Sequence, residues 1–129
     1  MAVQSEALAE RPDLNFGVVV GGDGGIACAL EKTEVAVLHV PTIKPFDKDT
    51  VLGAIAERKC PVFTAENHTT YGGLGTLTAS AVAEEKIVAD LHRIALPDQY
   101  LEAGTLGRLQ DMYGVSQKAV AETLKNILR

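Results

Sequence analysis

The chain has no tryptophan, three phenylalanines, three tyrosines and two cysteines in 129 residues. So little cysteine excludes a small fold stapled by disulfides. So few aromatics leave the core to aliphatic side chains. Positive charge is in deficit: 12 Lys and Arg against 17 Asp and Glu give a formal net charge of −5. An acidic surface repels phosphate backbones and anionic headgroups, which argues against nucleic-acid and membrane-surface partners. No apolar run reaches the ~18 residues of a transmembrane candidate. The start, MAVQSEALAERPD, carries Glu6 and Glu10 and no basic cluster, so it does not read as a secretory signal. Cys28 and Cys60 then read as small, reduced, buried thiols of a cytoplasmic protein rather than nucleophiles. His39, His68 and His92 are far apart and no Cys or His pair has ligand spacing, so no metal site is expected.

What remains is an ordinary globular balance, 47% hydrophobic and 22% charged, in a length that suits one domain. Four apolar runs read as strands: residues 16–20 (FGVVV), 35–40 (VAVLHV), 61–65 (PVFTA) and a weaker one at 90–95 (DLHRIA). Three of them are nearly continuous rather than alternating, the pattern of strands covered on both faces. Helical spacing lies between and after them. Over 47–58, Val51, Leu52 and Ile55 share a face and Asp47 is the N-cap. Over 73–85 the stripe is Leu74, Leu77, Thr78, Ala81 and Val82. Leu106, Leu109, Met112 and Tyr113 mark a third helix closed by Gly114. Ser116 caps a last one, with Val120, Leu124, Ile127 and Leu128 on one face. A short helix is expected between the first two strands. Residues 1–14 read as a tail or short helix and 15–129 as the domain. Strands alternating with helices imply βαβ crossovers and a mostly parallel sheet.

Three segments attract functional readings. After the first strand, Gly22, Gly24 and Ala27 fit G-x-G-x-x-A, a loose dinucleotide fingerprint. The acid expected after the second strand is missing, where the chain reads His39-Val40-Pro41-Thr42, so the segment reads better as a tight turn. The second segment is Glu66-Asn67-His68-Thr69-Thr70-Tyr71-Gly72-Gly73-Leu74-Gly75, running from a strand end into a helix. Ligands and partners gather at such carboxyl ends, and a glycine-rich helix start offers amides to an anion. Glu66 and His68 have the chemistry of an acid/base pair, but the preferred reading is a buried Glu and a loop His that hold a turn or a domain interface. The third segment, Pro41-Thr42-Ile43-Lys44-Pro45-Phe46-Asp47, is a stiff connector that presents Lys44.

The second and third segments, at their mutual spacing, resemble the C-terminal domain of transketolase, and more narrowly the C-terminal half of two-subunit transketolases. The likeness runs through His39-Val40-Pro41-Thr42-Ile43-Lys44-Pro45-Phe46-Asp47, Val62-Phe63-Thr64-Ala65-Glu66-Asn67-His68 and Gly72-Gly73-Leu74-Gly75. It continues through Ile94-Ala95-Leu96-Pro97-Asp98, Gly104-Thr105 and Tyr113-Gly114-Val115, and covers roughly residues 15–129. Related domains occur in deoxyxylulose-phosphate synthases and in β subunits of 2-oxoacid dehydrogenases. The resemblance implies an α/β fold in three layers, α/β/α, with a mixed, mostly parallel sheet of about five strands. It also implies a part in two-carbon ketol transfer between sugar phosphates on thiamine diphosphate and Mg²⁺.

In that family the catalytic and cofactor residues lie in two other domains. No catalytic residue therefore carries over, and this chain alone is expected to bind neither cofactor nor metal. The implied role is assembly with the remaining transketolase domains or subunit, in a homodimer. Glu66, Asn67, His68, Gly72, Gly73, Gly75 and Lys44 are the interface or ligand-proximal candidates. The alternative class is a stand-alone small-molecule or nucleotide-binding module using residues 21–25 and 72–75. The chain departs from the family at 21–34, which is shorter than expected, and at its first 13 residues, which have no counterpart.

Overall fold

The computed structural model describes residues 15–19, 35–57 and 61–128. The expected tail at 1–14, the glycine motif at 21–27, the short helix after it, Cys28 and Cys60 lie outside the described residues. Four strands form one sheet: β1 (Asn15–Val19), β2 (Val35–His39), β3 (Val62–Thr69) and β4 (Leu91–Leu96). Their order across the sheet is β2-β1-β3-β4, and every neighbouring pair is parallel. The expectation was a mixed sheet of about five strands. Among the described residues there are four and no antiparallel pair, because each connection that is described crosses over through a helix rather than a hairpin.

The helices are α1 (Lys48–Glu57), α2 (Leu74–Glu84), α3 (Leu106–Met112) and α4 (Gln117–Ile127). The chain steps from β2 to β3 and from β3 to β4 in the same direction across the sheet. Right-handed crossovers then place α1 and α2 on the same face. One core cluster joins Leu38, Val40 and Val62 of the strand side to Val51, Leu52 and Ile55 of α1 and Leu74 and Ala81 of α2. A second cluster packs Val35, Phe63 and Ala65 against Val120 and Leu124 of α4. Alternation along β3 thus feeds two layers: Val62 points to α1 and α2, Phe63 and Ala65 to α4. Phe63 is the largest fully buried side chain, and His92 of β4 stacks beside it at 5.3 Å between ring centroids.

Local chemistry sets the helix ends. Asp47 accepts the backbone N–H of Thr50 at 3.2 Å and its hydroxyl at 2.7 Å, so the predicted cap opens α1. Ser116 accepts from the Ala119 amide at 3.2 Å and opens α4. At the end of α3, Gly114 has φ +74°, and Val115 N–H and Gly114 N–H donate to Gln110 O and Asp111 O. That is a Schellman closure. The end of α2 repeats it with a lysine: Lys86 sits at φ +56°, while Ile87 N–H and Lys86 N–H donate to Val82 O and Ala83 O. Lys48 of α1 reaches Glu85 at 2.6 Å and Glu84 at 3.5 Å, tying the start of α1 to the end of α2.

Two expectations change. The third strand runs on to Thr69 rather than stopping at Ala65, since β4 continues to pair with it up to Thr69 opposite Leu96, across an irregularity after Ala65. The stripe Leu106, Leu109, Met112, Tyr113 does form a helix, but none of the residues of α3 is buried. Helical spacing reports a face that is able to be covered, and here no described element buries it fully. No helix among the described residues is long and apolar enough to cross a membrane.

Candidate functional site

The carboxyl end of β3 carries Glu66, and the chain turns through residues 67–73 into α2. Glu66 is 4% exposed, buried in spite of its charge. Its Oε2 accepts the N–H of Leu74 at 2.7 Å and its Oε1 the N–H of Gly75 at 2.9 Å. These are free amides of the first turn of α2, where the helix dipole favours a negative charge. The carboxylate of the chain itself therefore holds the position that an external anion would take. Two charge-assisted hydrogen bonds compensate the desolvation of Glu66.

The glycines are explained by this carboxylate. A Cβ on Gly73 would lie 1.9 Å from Glu66 Oε2. A Cβ on Gly75 would lie 2.8 Å from Arg93 Nε, 3.0 Å from Thr64 Oγ1 and 3.2 Å from Glu66 Oε1. Gly72 answers to a different demand: its φ of +75° is left-handed backbone. Its N–H donates to Thr76 Oγ1 at 3.2 Å, and Thr76 Oγ1 donates to the Thr70 carbonyl at 2.9 Å. Arg93 of β4 donates to the same Thr70 carbonyl and to Thr76 Oγ1 at 3.2 Å. The turn is thus bonded from α2 and from the neighbouring strand.

The sequence candidates separate into two environments. Glu66, Gly73 and Gly75 are buried, and their atoms meet at the start of α2. Asn67, His68 and Gly72 are exposed on the turn. The ring Nδ1 of His68 lies 3.1 Å from the Thr69 carbonyl, a hydrogen bond to its neighbour rather than to Glu66. Lys44 is exposed in a different turn, after β2, beside a cis Lys44-Pro45 bond. That turn walls a cavity of about 320 Å³ with Leu38, Val40, Phe46 and Val51 as its apolar lining and His39, Thr42 and Asp47 as polar lining. None of the residues 66–75 lines it. Asp47 is held below the usual carboxylate range by the hydrogen bonds from Thr50. Arg93 and Thr76 were not among the sequence candidates. The available signal was an arginine inside a strand whose other residues, His92 apart, are apolar.

The family profile described as "Transketolase, C-terminal domain" matches residues 26–120. The chain is 44% identical over 96 residues to the uncharacterized transketolase family protein y4mN of Sinorhizobium fredii, a match covering 74% of this chain and 28% of that protein. It is 34% identical over 91 residues to the 6-deoxy-6-sulfo-D-fructose transketolase subunit SqwH of a Clostridium species, over 70% of this chain and 28% of that one. It is 32% identical over 98 residues to the 1-deoxy-D-xylulose-5-phosphate synthase of Syntrophotalea carbinolica, covering 76% of this chain and 15% of the synthase. The chain therefore spans less than a third of the length of these relatives. The parallel α/β layering, the glycine turn closed by Glu66 and the match over residues 26–120 agree: the chain belongs to the transketolase C-terminal domain family.

Proposed function

We propose that this domain serves the assembly of a transketolase-type enzyme and contributes no catalytic residue to it. In this reading the assembled enzyme transfers two-carbon ketol units between sugar phosphates in the cytoplasm. Thiamine diphosphate and Mg²⁺ are held by its other domains, and the enzyme is a homodimer. Residues 66–75 and Lys44 face a domain or subunit boundary. The observation that carries the reading is the state of Glu66: buried, with both oxygens engaged by the amides of Leu74 and Gly75. A carboxylate so placed holds a turn; it is not presented to a substrate proton. In this reading the diphosphate cofactor is left to the other domains. The α2 amides of Leu74 and Gly75 are taken by Glu66, and among the described residues no three His, Cys, Asp or Glu side chains are grouped to hold a metal. No chemical step is assigned to this chain.

A stand-alone nucleotide binder draws less support for the same reason, since the amides of Leu74 and Gly75 already have an acceptor. The domain of a deoxyxylulose-phosphate synthase or of a 2-oxoacid dehydrogenase β subunit is the neighbouring reading within the same assembly role. The test is an assay of ketol transfer by the purified chain with thiamine diphosphate and Mg²⁺. The expected result is no turnover. Turnover by the chain alone refutes the proposal. A second arm replaces His68 by alanine: assembly with the preceding domains is expected to weaken while the melting temperature stays within about 2 °C, because an exposed side chain contributes little to the fold. Equal loss of both counts against an interface role.

A further inference from the structure

We infer that residues 97–113 form a docking arm whose occupant is the part of a transketolase-type protein that precedes this domain in its relatives. The inference rests on the assembly reading above and gives it a surface. After β4 the chain leaves the sheet and returns only at Val115, which is 1% exposed. Between these points Tyr100 is 104% exposed, Leu106 66%, Met112 44% and Leu101 37%. Leu106, Leu109 and Met112 follow one another at a spacing of three along α3, so their side chains adjoin on its surface. Four large apolar side chains in one short segment depart from the scattered singles of a monomer surface.

The arm is nevertheless built. Gln99 N–H donates to Pro97 O at 2.9 Å, and Glu102 N–H donates to the Tyr113 hydroxyl at 3.1 Å. This second bond ties the irregular stretch to the far end of α3. The Schellman closure at Gly114 then fixes the helix end against the core through Val115. Ordering a segment has an entropic cost that its own burial offsets little here, since no residue of α3 is fully buried. A surface arranged in advance loses less freedom on association, and a segment that exposes tyrosine and leucine side chains together with Asp98, Glu102, Arg108 and Asp111 has the mixed apolar and polar composition of an interface.

The relatives indicate the occupant. The family match, residues 26–120, includes the arm, so the arm is part of the domain. In y4mN and SqwH this region is joined to a much longer remainder, because the match is 28% of each. That remainder is the neighbour that the arm meets.

The test uses the full chain and, as probe, the Sinorhizobium fredii protein y4mN with its matching segment deleted. Binding is measured by sedimentation and titration calorimetry for the wild type, Leu106→Ser, Tyr100→Ser and, as a control away from the arm, Val88→Ser, where Val88 is 100% exposed. We expect the two arm variants to bind at least about tenfold more weakly, the Val88 variant to bind as the wild type does, and all melting temperatures to coincide. If the wild type binds and the arm variants bind equally well, the inference falls and the assembly reading stands. If the wild type does not bind at all, both fall. If instead the chain self-associates and the arm variants become monomeric, a second copy is the occupant and this assignment is overturned.

Discussion

Replacing Gly73 by alanine would put a methyl carbon 1.9 Å from Glu66 Oε2, where no contact distance is tolerable. The three nearest heavy atoms to that methyl all belong to the Glu66 carboxyl group. The carboxylate must leave, and the amides of Leu74 and Gly75 lose an acceptor in a buried place. Hydrogen bonds to a charged group contribute roughly 1.5–3 kcal/mol each, so Gly73→Ala is expected to destabilise the fold by about 3–5 kcal/mol. That is a large fraction of the roughly 5–15 kcal/mol that holds a domain of this size, and corresponds to a melting temperature lower by about 11–18 °C. The backbone itself is no obstacle, because Gly73 sits at φ −98°, ψ −162°, extended geometry that alanine adopts. A double-mutant cycle therefore isolates the clash. In a Glu66→Ala background, itself less stable by about 3 kcal/mol, Gly73→Ala should cost less than about 1 kcal/mol, a coupling of at least about 2 kcal/mol. Urea unfolding followed by far-ultraviolet circular dichroism measures all four corners. An equal cost of Gly73→Ala in both backgrounds would refute the assignment of this glycine to the carboxylate.

Two further outcomes follow from the helix ends. Lys86 holds the left-handed position after α2 at φ +56°, which a side chain occupies at a cost of about 1 kcal/mol; Lys86→Gly should raise stability by about that amount in the same assay, and an unchanged or lower value counts against the closure described. Asp47 has a folded pKa below its usual 3.8, so its cap contributes fully above that value and is lost as pH falls through the folded pKa. The wild type should then exceed Asp47→Ala by about 1 kcal/mol at pH 7, and the gap should narrow progressively as pH falls below 4; a gap that stays constant as pH falls contradicts the capping role.

Much of the scaffold was legible because periodicity and caps are local signals. Asp47 and Ser116 were readable as N-caps and Gly114 as the closing residue, since each acts on backbone groups within three or four positions of itself. The apolar runs located the strands for the same reason. Three things were not readable. The extension of β3 through Glu66-Asn67-His68-Thr69 depends on β4 and α2, which are remote in sequence and turn polar residues into paired strand. The bond from Arg93 to Thr70 and Thr76 depends on which strands become neighbours. The exposure of α3 depends on no described element packing fully over it, and a stripe of Leu106, Leu109 and Met112 has the same spacing whether or not it is covered. The candidate turn was legible as a place but not as a mechanism. Glycine next to glycine at a helix start suits a phosphate and an internal carboxylate equally well, and only the burial of Glu66 decides between them.

At the carboxyl end of a parallel strand, a helix N-terminus ordinarily leaves amides to whatever arrives from solvent. Here Glu66 closes that end from within, Gly73 and Gly75 make room for it, and Arg93 and Thr76 bond the turn from the other side. The amides of Leu74 and Gly75 are satisfied internally, and what faces outward is the turn they support: Asn67, His68 and Tyr71, all exposed. The arm after β4 follows the same economy, with the Glu102 N–H spent on Tyr113 and apolar side chains left outside. A site for a small ligand needs convergent, unspent polar groups in a concavity. A protein contact needs a rigid frame with side chains directed away from it. Both the turn after β3 and the arm after β4 meet the second requirement and not the first, which is what favours the proposed assembly role over a small-ligand site.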